Sequence, residues 1–477
     1  MKAAPLDCGA RSNESEETIV SKFAWASSAL ALTLFVPSLG MAASDAELAE
    51  IREQIRQLKE NYEARIQALE QRLKDAEAGR TREAAAPPPA LPPAAASAPS
   101  AGISAFNPAI SAVLQGTYSR LSQDPNKFAI AGFALAPDTS PGKRGFSLGE
   151  SEFAISANID HLFAGNLIVS LTPENTVSVE EAYGIYTAAP YGIVPKFGRF
   201  FSGLGYMNEQ HQHAWDFVDA PLAYQAFLGT QYSNDGLQLK WVAPTDQFLE
   251  FGAEVGNGEN FPGTSRNKNG VGSGVIYAHT GGDIGASHSW RAGVSYLQTR
   301  AQDRGDAQID FAGNNAQLAF SGTSHVAVAD FIWKYAPNGN AMQTNFKLQG
   351  EYFWRRENGE LTYDADGALG LTQTSAYASR QTGWYLQGVY QFMPYWRAGA
   401  RYDRLDPGHI DYGGNATFLA SPAFHPERYT LMLDYTPSEF SRIRLQVAQS
   451  KTQSGVTDNQ LFLQYILTMG AHGAHKF

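Results

Sequence analysis

The stretch Glu152-Phe-Ala-Ile-Ser-Ala-Asn-Ile159 decides the fold class. On an extended chain Phe153, Ile155, Ala157 and Ile159 share one face, and Glu152, Ser156 and Asn158 share the other. A second run, Asp330-Phe-Ile-Trp-Lys-Tyr335, sets Phe331, Trp333 and Tyr335 against Asp330 and Lys334. A period of two with one apolar face suits a strand with lipid outside and water inside. In bacterial outer membranes that combination is a β-barrel.

Similar patterns fill the chain from residue ~105 onward, about sixteen of them, from Ala112–Tyr118 to Leu461–Met469. The expected fold is an all-β transmembrane barrel of about 16 antiparallel strands, preceded by a short N-terminal α-helical coiled coil. An even count returns both barrel ends to one side of the membrane. Pro244-Thr-Asp246, Met393-Pro394 and Thr436-Pro-Ser438 read as short periplasmic turns. Gly258–Gly272, Arg300–Gly322, Glu357–Arg380 and Asp406–Glu427 read as external loops. The alternation stops at Met469, so the last strand is expected to end there, with a short tail to Phe477.

Composition agrees. Of 477 residues, 17% are charged and 12% aromatic, with 45 glycines, and mean hydropathy is −0.29. That is too polar for a helical membrane protein and too low in charge for an ordinary soluble one. The net charge of −11, with no basic tract, argues against nucleic acid. The single cysteine, Cys8, precedes the apolar N-terminal stretch, so no thiolate metal site is expected.

Four regions follow. Residues 1–42 read as a signal peptide, with an apolar core at Phe23–Leu39 and cleavage after Ala42. Residues 44–80 read as a periplasmic helix. Leu48, Ile51, Ile55, Leu58, Tyr62, Ile66, Leu69, Leu73 and Ala76 form a heptad seam. A self-associating coil, trimeric for a barrel oligomer, and a solitary amphipathic helix are both open. Residues 81–104 are a Pro/Ala-rich linker. Residues 105–477 are the barrel.

The segment Gly198–Gly229 is too long and too aromatic for a simple turn. It is expected either to fold inward and narrow the pore or to pack as a loop on the barrel rim. Its constriction candidates are Glu209, His211, His213, Trp215, Asp216 and Asp219. His211 and His213 would share a face on extended backbone. They could hold Zn²⁺, with Glu209, Asp216 or Asp219 adding oxygen, or serve only as hydrogen-bonded loop histidines. Beyond that zinc no cofactor is expected. Arg199, Lys240, Arg291, Lys347, Arg355, Arg397, Arg401 and Arg444 are expected to charge the lumen, opposed by Glu150, Glu152, Glu180, Asp330, Glu351, Asp403 and Asp434. Gly145-Phe-Ser-Leu-Gly149 matches a hydrolase elbow but begins an alternating strand, so no enzyme is expected.

Several phrases carry a family resemblance: Gly145-Phe-Ser-Leu-Gly-Glu150, Gly198-Arg-Phe-Phe201, Asn208-Glu-Gln-His211 and His213-Ala-Trp-Asp-Phe-Val-Asp219. With the terminal Gly470–Phe477, they make the barrel resemble the phosphate-selective trimeric porins of proteobacterial outer membranes. Some relatives of that set are named TonB-dependent or zinc-regulated outer-membrane receptors. The resemblance implies a 16-stranded barrel, trimeric, in the outer membrane of a Gram-negative bacterium. Two departures stand out. Phe201–Thr230 holds no lysine or arginine, unlike a phosphate-selective constriction. The ~60 residues between signal peptide and barrel are too few for a receptor plug.

The reading is thus a porin-like channel for passive diffusion of small polar or anionic solutes. A metal or ligand uptake receptor is the alternative, and an envelope tether through the coil is a second. Expected partners are outer-membrane lipid, two further copies of the chain, and a peptidoglycan or periplasmic contact through the coil.

Overall fold

A computed structural model describes residues 108–173 and 176–470. The expected signal peptide, coiled coil and linker lie outside them, as does the tail beyond Gly470. Seventeen strand segments form one sheet. They are β1 Ala109–Leu121, β2 Gly145–Leu148, β3 Ser151–Asn158, β4 Phe163–Leu171, β5 Val177–Tyr186, β6 Ile193–Phe201, β7 Ser233–Val242, β8 Phe248–Gly256 and β9 Ser273–Ile284. After them come β10 His288–Ile309, β11 Asn315–Tyr335, β12 Asn345–Tyr363, β13 Gln373–Met393, β14 Trp396–Asp411, β15 Glu427–Ser438, β16 Ser441–Gln453 and β17 Val456–Gly470.

β2 and β3 both pair with β1, in register, on either side of Gly149-Glu150. They are one stave with a break, so the barrel has sixteen staves. β1 pairs with β17, Ser111 opposite Gly470, and the sheet closes. Closure leaves no edge strand, which a lipid environment requires. Among the described residues no helix is long and apolar enough to cross a membrane.

The alternation places side chains as expected. Phe153, Phe331, Leu386, Leu431 and Leu463 point outward and are exposed, while Glu152, Asp330, Gln387, Thr430 and Gln464 point inward and are buried. Outward aromatics gather in two bands. Trp333 with Phe346, Trp241 with Phe251 and Trp396 with Tyr435 lie near the short-turn end. Tyr402 with Trp384 and Tyr429, and Tyr118 with Phe146, lie nearer the other. Trp396 and Tyr402 are separated by about 20 Å along β14, six residues at ~3.3 Å each. Two such girdles flanking an apolar band are what an outer-membrane barrel presents to lipid.

Four expectations need correction. Arg300–Gly322 and Glu357–Arg380 are mostly strand, because β10 and β11 continue to a turn at 310–314 and β12 and β13 to a loop at 364–372. Beyond the lipid the outer face turns polar while the inner face carries Leu318, Phe320, Leu361 and Tyr363, so the alternation inverts as the hydrogen-bond ladder runs on. Likewise β14 runs on to Asp411, so the loop expected from Asp406 begins at 412. The turn expected at Thr436-Pro-Ser438 lies at 439–440, and β15 includes those three residues. The Gly145–Gly149 run is strand followed by a stave break, with no helix after it, so it is not a nucleophile elbow.

Candidate functional site: the segment inside the barrel

The chain between β6 and β7, residues 202–232, turns inward and is mostly buried. It ends in a short helix, α1 (Leu222–Leu228), whose seven residues are all buried. Tyr224 and Phe227 pack on Phe353 of β12, with ring centroids 5.0 and 5.6 Å apart. Leu297, Val326, Val328, Tyr385 and Leu405 of the wall join the same core. Burying each such side chain contributes ~1.5–3 kcal/mol, so on this side the lumen is packed like a protein interior. The loop 122–144 folds over it: Ile130 and Phe133 are buried, and Phe133 meets Phe227 edge-on at 5.5 Å.

The wall satisfies the helix ends. Leu222 N–H donates to Asp403 at 2.9 Å, and Arg355 donates to the Ala226 carbonyl at 2.9 Å. An acid at the first turn and a base at the last both complement the helix dipole. Gly229 closes the helix at φ 63°, where an added Cβ would lie 2.7 Å from the Ala136 Cβ. Asn208, fully buried, staples the segment's two ends. Its amide donates to the Ser202 and Tyr232 carbonyls, and its oxygen accepts from Tyr232 N–H at 2.7 Å.

Wall carboxylates hold the first half of the segment by its backbone. Glu254 accepts from Gly203 N–H at 2.9 Å, and Glu351 accepts from Tyr206 and Met207 N–H at 3.1 and 3.2 Å. Tyr224 and Tyr385 hydroxyls also donate to Glu351. The second half meets the basic wall of β12 to β16. Asp216 pairs with Lys347 and with Arg397 (3.2 Å). Asp219 pairs with Arg401 (2.8 Å) and Arg428 (2.5 Å). Arg442 and Arg444 donate to the Trp215 carbonyl. Burial pushes both segment carboxyls up, but the adjacent cations win: Lys347 and Arg397 hold Asp216 well below the ordinary carboxylate range, and Arg428 and Arg401 bring Asp219 to about 2.

The histidines face the opposite wall, β3 and β5. His211 Nδ1 lies 2.9 Å from Glu180 and 3.3 Å from Glu152, and its Nε2 lies 3.2 Å from Glu181. His213 Nδ1 lies 2.7 Å from the other Glu152 oxygen. The two imidazoles stack 5.8 Å apart. Burial opposes charge on His211, but the Glu180 and Glu181 hydrogen bonds hold its pKa well above the ordinary value. Beside this cluster is a polar cavity of about 290 Å³ lined by Glu150, Glu180, Gln212, Arg199, Asp235 and Asn260 among others.

No protein-family model matches this chain. An uncharacterized protein of Aquifex aeolicus (strain VF5) is 31% identical over 355 residues, 70% of this chain and 71% of that protein. This chain belongs to that protein's family. Among solved structures, it is similar to the loop L8 deletion mutant of OmpT, an outer membrane protein of Vibrio cholerae. The TM-score there is 0.47 at 12% identity, over 76% of this chain and 99% of that one. It is also similar to the outer membrane channel DcaP of Acinetobacter baumannii, with TM-score 0.45 at 13% identity over 76% and 97%. A third is Pseudomonas putida OprB, with TM-score 0.41 at 14% identity over 76% and 94%.

Of the eight basic residues expected in the lumen, seven touch the inserted segment. Arg291 reaches the Gly205 carbonyl (3.4 Å), Lys240 pairs with Glu209 (2.5 Å), and Lys347, Arg355, Arg397, Arg401 and Arg444 bind as above. Arg199 pairs instead with Asp235 on the wall. The expected help of Glu209, Asp216 or Asp219 to the histidines is not what forms, because basic wall residues take all three. Glu152, Glu180 and Glu181 take that place. Arg428 was missed in the sequence, although at the start of β15 it alternates with outward Tyr429 as Thr430 does. The segment lacks lysine and arginine, yet the wall sets six of them against its second half, balanced in part by Asp216, Asp219, Asp403 and Asp434.

Proposed function

We propose that this protein is an outer-membrane diffusion channel for small polar or anionic solutes, assembled as a homotrimer with its N-terminal region in the periplasm. One observation carries the channel reading. The segment 202–232 is fixed inside the barrel between two walls of opposite character, carboxylates on β3 and β5 and guanidiniums on β14, β15 and β16. Opposed fixed charges across a narrow lumen make a transverse field, which orients a dipolar solute and rejects apolar ones. The basic side has six cations against four carboxylates, which favours anions. The packed core around α1 keeps the passage narrow.

Planar-bilayer recording tests this. Purified protein is expected to give small discrete conductance steps. Replacing Gly203–Gln231 with a short flexible linker is expected to enlarge them several-fold. Absence of steps in both proteins would refute the channel.

A further inference from the structure

We infer that Glu152, Glu180 and His211 form a binding site for a divalent first-row transition cation, between the inserted segment and the β3–β5 wall. One oxygen of each glutamate and Nδ1 of His211 lie within 4.8 Å of one another. The two separations from Nδ1 are 2.9 and 3.3 Å. Ligands at ~2.1 Å from a metal are about 3.0 Å apart in an octahedron and about 3.4 Å apart in a tetrahedron. Two of the three donor separations therefore match edges of one face of a coordination shell.

The surroundings are arranged as they are behind metal ligands. A ligating histidine gives its other N–H to a carboxylate, which fixes the ring. Here Nε2 of His211 faces Glu181 at 3.2 Å. Glu152 is oriented through its second oxygen by His213, and Glu180 is hydrogen-bonded by Glu150. Ser170 Oγ is wholly buried and within reach of the Glu150 and Glu180 carboxyl groups.

Charge points the same way. Glu150, Glu152, Glu180 and Glu181 form no ion pair with lysine or arginine among the described residues. Lys196, which feels Glu181, sits over the Tyr183 ring at 4.4 Å. With Glu150 holding a proton toward Glu180, the carboxylates of Glu152, Glu180 and Glu181 against two imidazoles leave negative charge even when both rings are protonated, and buried like charges repel strongly. Elsewhere in the lumen, Asp216, Asp219, Asp403, Asp434 and Glu357 each pair with arginine or lysine. The polar cavity, lined by Glu150 and Glu180, gives an ion a route to the site. One imidazole with two carboxylates and no thiolate suits Zn²⁺ or Mn²⁺ over soft ions.

The test is calorimetric titration of the whole detergent-solubilised chain, stripped with chelator, using ZnCl₂ and MnCl₂. It does not depend on conduction, so a failed channel reading leaves it readable. One equivalent is expected to bind. Glu180→Gln and His211→Gln are each expected to weaken it at least tenfold, and Glu181→Gln by ten- to a hundredfold. His472→Gln/His475→Gln is expected to change nothing. No binding, or binding undiminished in Glu180→Gln/His211→Gln, would overturn the site. Should those variants fail to fold, anomalous diffraction from zinc-soaked wild-type crystals decides. A peak beside His211 Nδ1 supports the site, and a peak elsewhere or none refutes it.

Discussion

Replacing Asp219 with asparagine should loosen the inserted segment without harming the barrel. Asp219 accepts from Arg401 (2.8 Å), Arg428 (2.5 Å) and Gln446 (2.8 Å). Its carboxyl group sits at about 2, against an ordinary 3.8. That gap is worth about 2–3 kcal/mol at ~1.36 kcal/mol per pKa unit. The loss should stay below the ~3–5 kcal/mol typical of breaking a buried pair, because Arg401 and Arg428 both keep Asp403. The sign follows from linkage. A depressed carboxyl pKa stabilises the docked segment fully above pH ~4, and the contribution fades as pH falls toward about 2. Hydrogen exchange read by mass spectrometry is the assay. In Asp219→Asn at neutral pH, peptides from 202–232 should exchange at least tenfold faster where local opening limits exchange. Peptides from β10 to β13 should be unchanged. Segment exchange within twofold of wild type would refute the anchoring role.

Other outcomes follow from the same geometry. Tyr224→Phe removes a hydroxyl that donates to Glu351 at 2.9 Å and accepts from Met207 N–H at 3.2 Å. Glu351 keeps three other donors, so the expected cost is about 1–2 kcal/mol, measured as a lower unfolding temperature by circular dichroism; no change would argue against a packed lumen. Arg442 donates to the His213 and Trp215 carbonyls and, among the described residues, pairs with no carboxylate. Arg442→Gln should therefore reduce anion preference, read as a shift in reversal potential under a salt gradient. A shift toward greater anion preference would count against the proposed field.

Much of the barrel was legible because its physics is local. A strand between lipid and water must alternate, and Phe153 against Glu152, or Leu431 against Thr430, can be seen without knowing any neighbour. The alternation failed where lipid ends. β10 to β13 run past the apolar band, and there the apolar residues, Leu318, Phe320 and Leu361 among them, switch to the inner face. The site was half legible. Length, aromatic content and paired histidines singled out the chain between β6 and β7, and the wall bases were readable as inward positions. The loop 122–144, which covers α1, carries no periodic signal and was not foreseen.

What the sequence determined by itself is the wall: its sixteen staves, its lipid face and the residues lining its lumen. Each follows from a two-residue period that repeats along the chain. What only the tertiary structure decided is the partnership inside. His211 meets Glu152 and Glu180, which are far from it in sequence, while nearby Asp216 and Asp219 turn to arginines on β14 and β15. Closure of the sheet brings distant staves around one lumen, and charge and packing then select the segment's path across it. Such choices are made between surfaces and leave no period along the chain.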